Sequence, residues 1–383
     1  MGKQYISTVS ASQAHKLDVI GLTVVNKFSI TVSSDGYANF WDNKQDEVHD
    51  PNQYVHREFI NKIGVHHVAS YENVLPASNT KVVVLAFACF DGSIVIKYFV
   101  NDDISTLKQF ETTEFKTQFW APVFYKDPES KNDYFISTKA SGTTFVYDFV
   151  ATPSNDDVTL EFNKVGELNA NTTSFPNSIA MCPTEDKKVA IGYSNGDVLL
   201  YDLLHFTPVY TFHSTDLQVS AKVSSSASIP RVMAFSPGGS ILAVARDNQS
   251  SGSITLYDVK FGENIGSLTT PSHSSVASVG GFAHNGWIMG LSFDEEGKNL
   301  ASCGFDKCIR VWNLESRERE ATINISPTDL ENPETDEFDK SVASGVSFIK
   351  KGVRGGSGGD TNEGLCVISF DRGVRWYREA GGI

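Results

Sequence analysis

Few residues in this 383-residue chain have the type and spacing for chemistry. Gly355-Gly356-Ser357-Gly358-Gly359 fits the G-x-S-x-G pattern of a hydrolase nucleophile, which needs a strand before the serine and a helix after it. Here the run leads through Asp360-Thr361-Asn362 into a strand-like stretch, so it reads as a flexible loop. It also lacks the Lys-Ser/Thr pair of a phosphate loop. His66 and His67 are adjacent but have no acidic or cysteine company at ligand spacing, so no metal is expected. His284 and Asp306 offer an imidazole and a carboxylate that could serve as a base and its orienting group. The cysteines, Cys89, Cys182, Cys303, Cys308 and Cys366, form an odd set with no C-x-x-C pair. Most lie in apolar, strand-like runs, where a reduced thiol packs as a small hydrophobe. Neither a disulfide framework nor a cofactor is expected, and the compartment is expected to be reducing.

Composition narrows the classes further. A net charge of −14 and a pI near 5.1 argue against direct nucleic-acid binding, which needs clustered Lys and Arg. The 40% hydrophobic and 11% aromatic fractions support a substantial core and exclude a globally disordered chain. No stretch approaches the roughly 18 consecutive apolar residues of a membrane span, and the opening MGKQYISTVS lacks the apolar centre of a secretory leader. A soluble intracellular protein without membrane contact is expected.

The elements that must position these residues come from a repeat. Its clearest copy, GFAHNGWIMGLSFDEEGKNLASCGFDKCIRVWN from Gly281 to Asn313, holds three short strand patterns at Trp287–Phe293, Asn299–Cys303 and Cys308–Trp312. A tight turn followed by an aromatic anchor recurs: Asp35-Gly36 to Trp41, Ser141-Gly142 to Tyr147, Asn195-Gly196 to Tyr201, Ser251-Gly252 to Tyr257, Asp306 to Trp312 and Asp371 to Tyr377. From Asp91-Gly92 the aromatic Tyr98 lies one residue too far, so either Lys97 takes the slot or a bulge intervenes. Asp-Gly and Asn-Gly supply the positive φ angles of tight hairpins, and runs such as Ile309-Arg310-Val311 are strand chemistry. Seven anchors predict residues 1–383 to be a single all-β, seven-bladed β-propeller of four-stranded antiparallel blades. The last unit lacks an outer strand, and Gln4–Val9 reads as the lone strand that closes the ring.

With these anchors the chain resembles the WD-repeat family throughout. The resemblance implies a hydrogen-bonded chain of His, Ser or Thr, Asp and Trp within a blade. It assigns His15, Thr31, Asp35 and Trp41 in the first unit, and His284, Ser302, Asp306 and Trp312 in the sixth. On this reading His284 and Asp306 form a structural network and not a catalytic pair. A more specific resemblance, to the family of WD-repeat subunits of the fungal superkiller (Ski) complex, rests on FGENIGSLTTPSHSS, GFAHNGWIMGLSFDEEG, KKGVRGGSGGDTNEGLCV, SSDGYANFWDNK, QFWAPVF and the terminal DRGVRWYREAGG. It implies a non-catalytic scaffold, a monomer on its own and present in two copies in the complex. That complex joins it to an RNA helicase and a large tetratricopeptide-repeat subunit. The assembly feeds mRNA to the cytoplasmic exosome for 3′-to-5′ decay and restrains viral RNA. A second, nuclear role in meiotic recombination would add the transesterase that makes double-strand breaks as a partner.

In this fold the turns between second and third strands share one face with the loops leading into each blade. That face is expected to carry Phe90, Phe305, Phe370, Trp120 and Trp287, with Asp18, His66 and Arg231 supplying polar specificity. Aromatics are the residues that carry interface hot spots, so a protein-docking face is expected here. The resemblance implies that it takes segments bearing a Gln-Arg pair and a following hydrophobic residue. An adaptor of another kind, in a histone-binding or ubiquitin-ligase assembly, would use the same architecture. A propeller hydrolase would instead need carboxylates converging in the channel. The Pro-broken acidic stretch Ser326–Lys340 is expected to be a disordered insertion, and Thr270–Ser278 and Lys222–Ser228 to be Ser-rich loops.

Overall fold

Short β-branched and aromatic runs separated by turn residues pair as hairpins, and four such strands make each unit of the fold. The structure, a computed structural model, describes residues 3–44, 50, 52–129, 131–154, 157–170, 172–214, 228–248, 250–270, 281–330, 339–350 and 364–380. The glycine run 355–359, residues 271–278 and 222–227 of the Ser-rich loops, and 331–338 of the acidic stretch lie outside the described residues.

Seven antiparallel four-stranded sheets are present. From inner to outer strand, blade 1 is Val19–Val24, Phe28–Ser33, Tyr37–Asp42 and His56–Phe59, and blade 2 is Val65–Leu75, Thr80–Cys89, Ile94–Val100 and Asp103–Phe110. Blade 3 is Phe119–Tyr125, Asp133–Lys139, Thr144–Ser154 and Asp157–Leu168; blade 4 is Pro176–Met181, Lys188–Tyr193, Val198–Asp202 and Thr207–Phe212. Blade 5 is Pro230–Phe235, Ile241–Asn248, Ser251–Asp258 and Glu263–Leu268; blade 6 is Ile288–Phe293, Asn299–Gly304, Cys308–Asn313 and Arg319–Asn324. Blade 7 is Ala343–Ile349, Gly364–Ser369 and Val374–Glu379, completed by Tyr5–Ala11 from the N-terminus. Each inner strand contacts that of the next blade, and blade 7 returns to blade 1, so the ring closes.

The core is not one mass but a series of layers between blades. Each anchor packs back onto the preceding blade: Trp41 meets Trp376 of blade 7 at 5.3 Å, and Tyr257 stacks on Phe212 of blade 4 at 4.1 Å. In blade 2 the position five residues beyond the turn glycine is Lys97, and the second and third strands pair there without a register shift. Lys97 therefore takes the anchor slot, 7% exposed, and its ammonium reaches Glu58 of blade 1 at 2.8 Å. Tyr98 turns the other way and packs toward blade 3. The layer between blades 2 and 3 is instead strongly aromatic, with Phe115 and Phe135 in contact with each other and each with Tyr147 and Phe162.

Two turn glycines show different reasons for being glycine. Gly36 sits at φ +85°, and a Cβ there would lie 2.1 Å from the Asn61 carbonyl oxygen. Gly252 was expected to make a turn of the same kind. It instead pairs within the strand with Asp247, because the blade 5 hairpin runs on to Asn248 and Ser251. Its missing side chain admits the lead-in loop of blade 6: a Cβ would come within 2.7 Å of the Gly286 carbonyl oxygen, and Gly252 bridges to His284.

The acidic stretch was expected to be a disordered insertion, but its described residues at either end are folded against the propeller. Pro327–Asp329 form one 3-10 turn in which Ser326 N–H donates to the Asp329 carboxylate at 2.7 Å. Leu330 is buried, and Asp339 pairs with Lys307.

Candidate protein-docking face

The His, Ser, Asp and Trp side chains of blade 6 meet because the lead-in loop and the turn between second and third strands lie at the same end of the sheet. Trp312 Nε1 donates to Ser302 Oγ at 2.9 Å, and Ser302 lies 2.7 Å from His284 Nε2. His284 Nδ1 lies 2.8 Å from Asp306 Oδ1, so the assignment that satisfies every group has Ser302 donating to Nε2 and Nδ1–H donating to Asp306. Arg310 adds a bond to Asp306 Oδ2 at 2.6 Å. Blade 1 repeats the arrangement: Trp41 Nε1 donates to Thr31 Oγ1 at 3.0 Å, His15 Nε2 lies 2.9 Å from that hydroxyl, and His15 Nδ1 lies 3.3 Å from Asp35. Burial opposes ionisation of Asp306 and Asp35, but bonds from His284 and Arg310, and from His15, outweigh it and hold each carboxyl down at about 2. Burial also lowers the His284 pKa. Ser302 and His284 are fully buried, so this Ser-His-Asp set faces no substrate and ties loop, turn and strand together.

Blade 7 carries a version that sequence reasoning missed. With no histidine available, Arg375 donates to Ser369 Oγ at 2.6 Å and to Asp371 Oδ2 at 2.7 Å, while remaining fully buried. The Asp-x-x-x-Arg spacing shared by Asp306–Arg310 and Asp371–Arg375 was the available signal.

On the same face, every inner strand shifts register by one residue near its start. These bulges leave Ile20, His66, Trp120, Asn177, Arg231, Met289 and Ser344 around the mouth of the channel. Two aromatic clusters grow from this ring. In the first, His66 stacks on Trp120 at 4.1 Å and leans on Phe90 at 5.0 Å, while Trp120 meets Phe175 edge-on at 5.0 Å. In the second, Trp287 contacts Phe305 at 5.5 Å and Phe305 contacts Phe370 at 6.0 Å. Arg231 lies over Trp287 at 4.9 Å and is held from behind by both carboxylate oxygens of Asp247.

The expected residues divide accordingly. Phe90, Trp287 and Phe305 are 45%, 39% and 39% exposed, Trp120 and Phe370 are half-buried, and Asp18 is exposed on the lead-in loop of blade 1. His66 is a correction: at 4% exposed it is a support beneath the aromatics, its pKa lowered to about 4 by burial, and not a polar contact at the surface. Phe175 and Asp247 were missed, as were the exposed Leu17 and Ile63 on neighbouring loops. Trp120 Nε1 and Asn177 Nδ2, in adjacent blades, are buried donors with no acceptor among the described residues.

The channel below is lined by Thr23, Ser70, Phe124, Ser178 and Met233 among others, with no Asp or Glu among its lining residues. Among the described residues no group of His, Cys, Asp and Glu is placed to hold a metal ion.

Comparison with known proteins adds a second line. Residues 269–313 match the family "WD domain, G-beta repeat". Over the full length of both chains the sequence is 35% identical to antiviral protein SKI8 of Saccharomyces cerevisiae. Shorter matches include actin-interacting protein 1 of Drosophila melanogaster, 25% identical over 40% of this chain and 21% of that protein. DDB1- and CUL4-associated factor 13 of Dictyostelium discoideum is 52% identical over 9% of this chain and 7% of its own.

Proposed function

The chain belongs to the WD-repeat family of antiviral protein SKI8, and from that membership we propose that it is a non-catalytic scaffold that docks partner proteins on its aromatic face. The observation that carries the reading is the pair of aromatic clusters, each partly exposed, held rigidly by the bulged inner strands and the buried networks beneath them. Exposed aromatics on a preorganised surface bind with little loss of side-chain entropy, which suits a hot spot. The lack of carboxylates lining the channel favours an adaptor over a propeller hydrolase.

The likeness to SKI8 supports a reading of the partners. The chain assembles in two copies with a tetratricopeptide-repeat scaffold subunit and an RNA helicase subunit of a superkiller complex, and assists exosomal mRNA decay and antiviral defence in the cytoplasm. The helicase handles the RNA, in keeping with the acidic charge of this chain. A nuclear role in meiosis, through the double-strand-break transesterase, uses the same face. Asp18 suits an arginine of the docked segment, and the clusters suit its apolar side chain.

Binding of the purified chain to the C-terminal part of the tetratricopeptide-repeat subunit tests this. Trp120→Ala and Trp287→Ala, each checked for fold by circular dichroism, are expected to lose about 2 kcal/mol or more. Folded variants that bind like the parent would move the site to another face. Failure of the parent to bind would overturn the partner assignment.

A further inference from the structure

Between blades 6 and 7, on the face opposite the aromatic clusters, a cleft of about 230 Å³ holds two hydrogen-bond acceptors that nothing among the described residues satisfies. Asn299 and Asn313 sit opposite each other on the second and third strands of blade 6. Trp312 packs toward blade 5, so its neighbour Asn313 faces blade 7. Asn313 Nδ2 donates to Glu320 Oε1 at 2.9 Å, while its own oxygen accepts from the Glu315 and Ser316 amides at 3.0 Å each. Asn299 Nδ2 donates to Asp294 Oδ2 at 2.6 Å, which fixes the amide because a flip would set oxygen against oxygen. Asn299 is only 6% exposed, yet its Oδ1 meets no donor, and neither does Glu320 Oε2. A buried acceptor without a donor is costly, and a carboxylate oxygen more so.

The charge around these atoms is one-sided. Glu379 is matched by Lys3 at 3.3 Å and Glu296 by Lys298 at 2.7 Å, and Lys350 reaches Glu295 only at 3.5 Å. Glu320 has a hydrogen bond from Asn313 but no ion pair among the described contacts. A metal ion does not suit the site, since among the described residues no convergent ligand set is present. A group that carries positive charge, donates in at least two directions and accepts nothing complements these two oxygens and the carboxylates around them. A guanidinium meets all three conditions, with five N–H donors in a planar fork.

We propose that this cleft binds an arginine side chain presented by a basic segment of a partner protein. Asn299 Oδ1 and Glu320 Oε2 each accept one N–H, and the rim carboxylates draw the cation in. The site is separate from the aromatic face, so it stands or falls independently of the docking reading.

Isothermal titration of the full chain with acetyl-Gly-Arg-Gly-amide tests it, alongside the citrulline peptide of the same shape without charge. Saturable binding is expected for the arginine peptide, weakened about tenfold or more by citrulline. Glu320→Gln, checked by thermal unfolding, is expected to cost a similar factor, while Glu161→Gln, at an exposed carboxylate on the outer strand of blade 3, leaves binding unchanged. The citrulline comparison needs no variant, so it decides even if Glu320→Gln does not fold. No saturable heat with arginine, equal binding of citrulline, or spermidine binding as tightly as the arginine peptide would overturn the proposal.

Discussion

Ser302 answers to two buried neighbours, and its hydroxyl joins Trp312 to His284. Ser302→Ala orphans one donor and one acceptor in a fully buried site, so it is expected to cost about 2–3 kcal/mol, read from urea unfolding. The same networks set a pH dependence. His284 and His66 have lowered pKa values through burial, His66 to about 4, against 6.5 for an ordinary imidazole. An unfolded chain therefore binds more protons than the folded one as pH falls below 6.5, and stability drops through that window. Asp35 and Asp306, held near 2 against 3.8, contribute stability that is complete above 3.8 and lost as pH falls toward 2. The urea midpoint is expected to fall between pH 7 and pH 5, and His66→Phe should shrink that fall. A midpoint flat across this range would contradict the burial of neutral histidine. The family resemblance implied the blade 1 and blade 6 networks, but not the burial of His66, which depends on Trp120 arriving from the next blade.

Among the elements, the N-terminal strand and the blade 2 anchor slot carry the clearest tests. Tyr5–Ala11 pairs along the whole third strand of blade 7, and Ala380 N–H also donates to the Gln4 carbonyl at 2.7 Å. Deleting residues 1–10 exposes that edge and opens the ring, so a large drop in Tm and a shift toward self-association on size exclusion are expected. An unchanged melting curve would mean that the ring holds without its latch. In blade 2, Lys97→Tyr restores an aromatic anchor but strips Glu58 of its ammonium partner, leaving only His56 at 3.1 Å. That single change is expected to destabilise by about 1 kcal/mol, and adding Glu58→Gln should recover the loss. Additive effects of the two changes would show that the pair is uncoupled.

For the whole molecule, closure of seven blades turns separate lead-in loops into one continuous surface. The cluster of His66, Phe90, Trp120 and Phe175 spans blades 2 to 4, and that of Arg231, Trp287, Phe305 and Phe370 spans blades 5 to 7. If one partner covers both, Trp120→Ala and Trp287→Ala should weaken binding additively to within about 0.5 kcal/mol, because the clusters share no contact. Binding through these apolar rings should also depend only weakly on salt, measured as the dissociation constant across a salt series. A steep salt dependence would point to a charged footprint in place of the aromatic one.

Sequence by itself determined the number of blades, the turn and anchor of most of them, and the closing strand. Those features are local: a turn dipeptide, a β-branched run and an aromatic at fixed spacing specify a hairpin with little help from elsewhere. What only the tertiary structure decided lies between blades. Lys97 in the anchor slot is explained by Glu58 of the neighbouring blade, and Gly252 by the loop that passes over it. The ring of bulged residues around the channel and the cleft beside Asn299 arise where strands or blades meet. Such sites depend on which side chains neighbouring strands and blades bring together, and no local spacing records that.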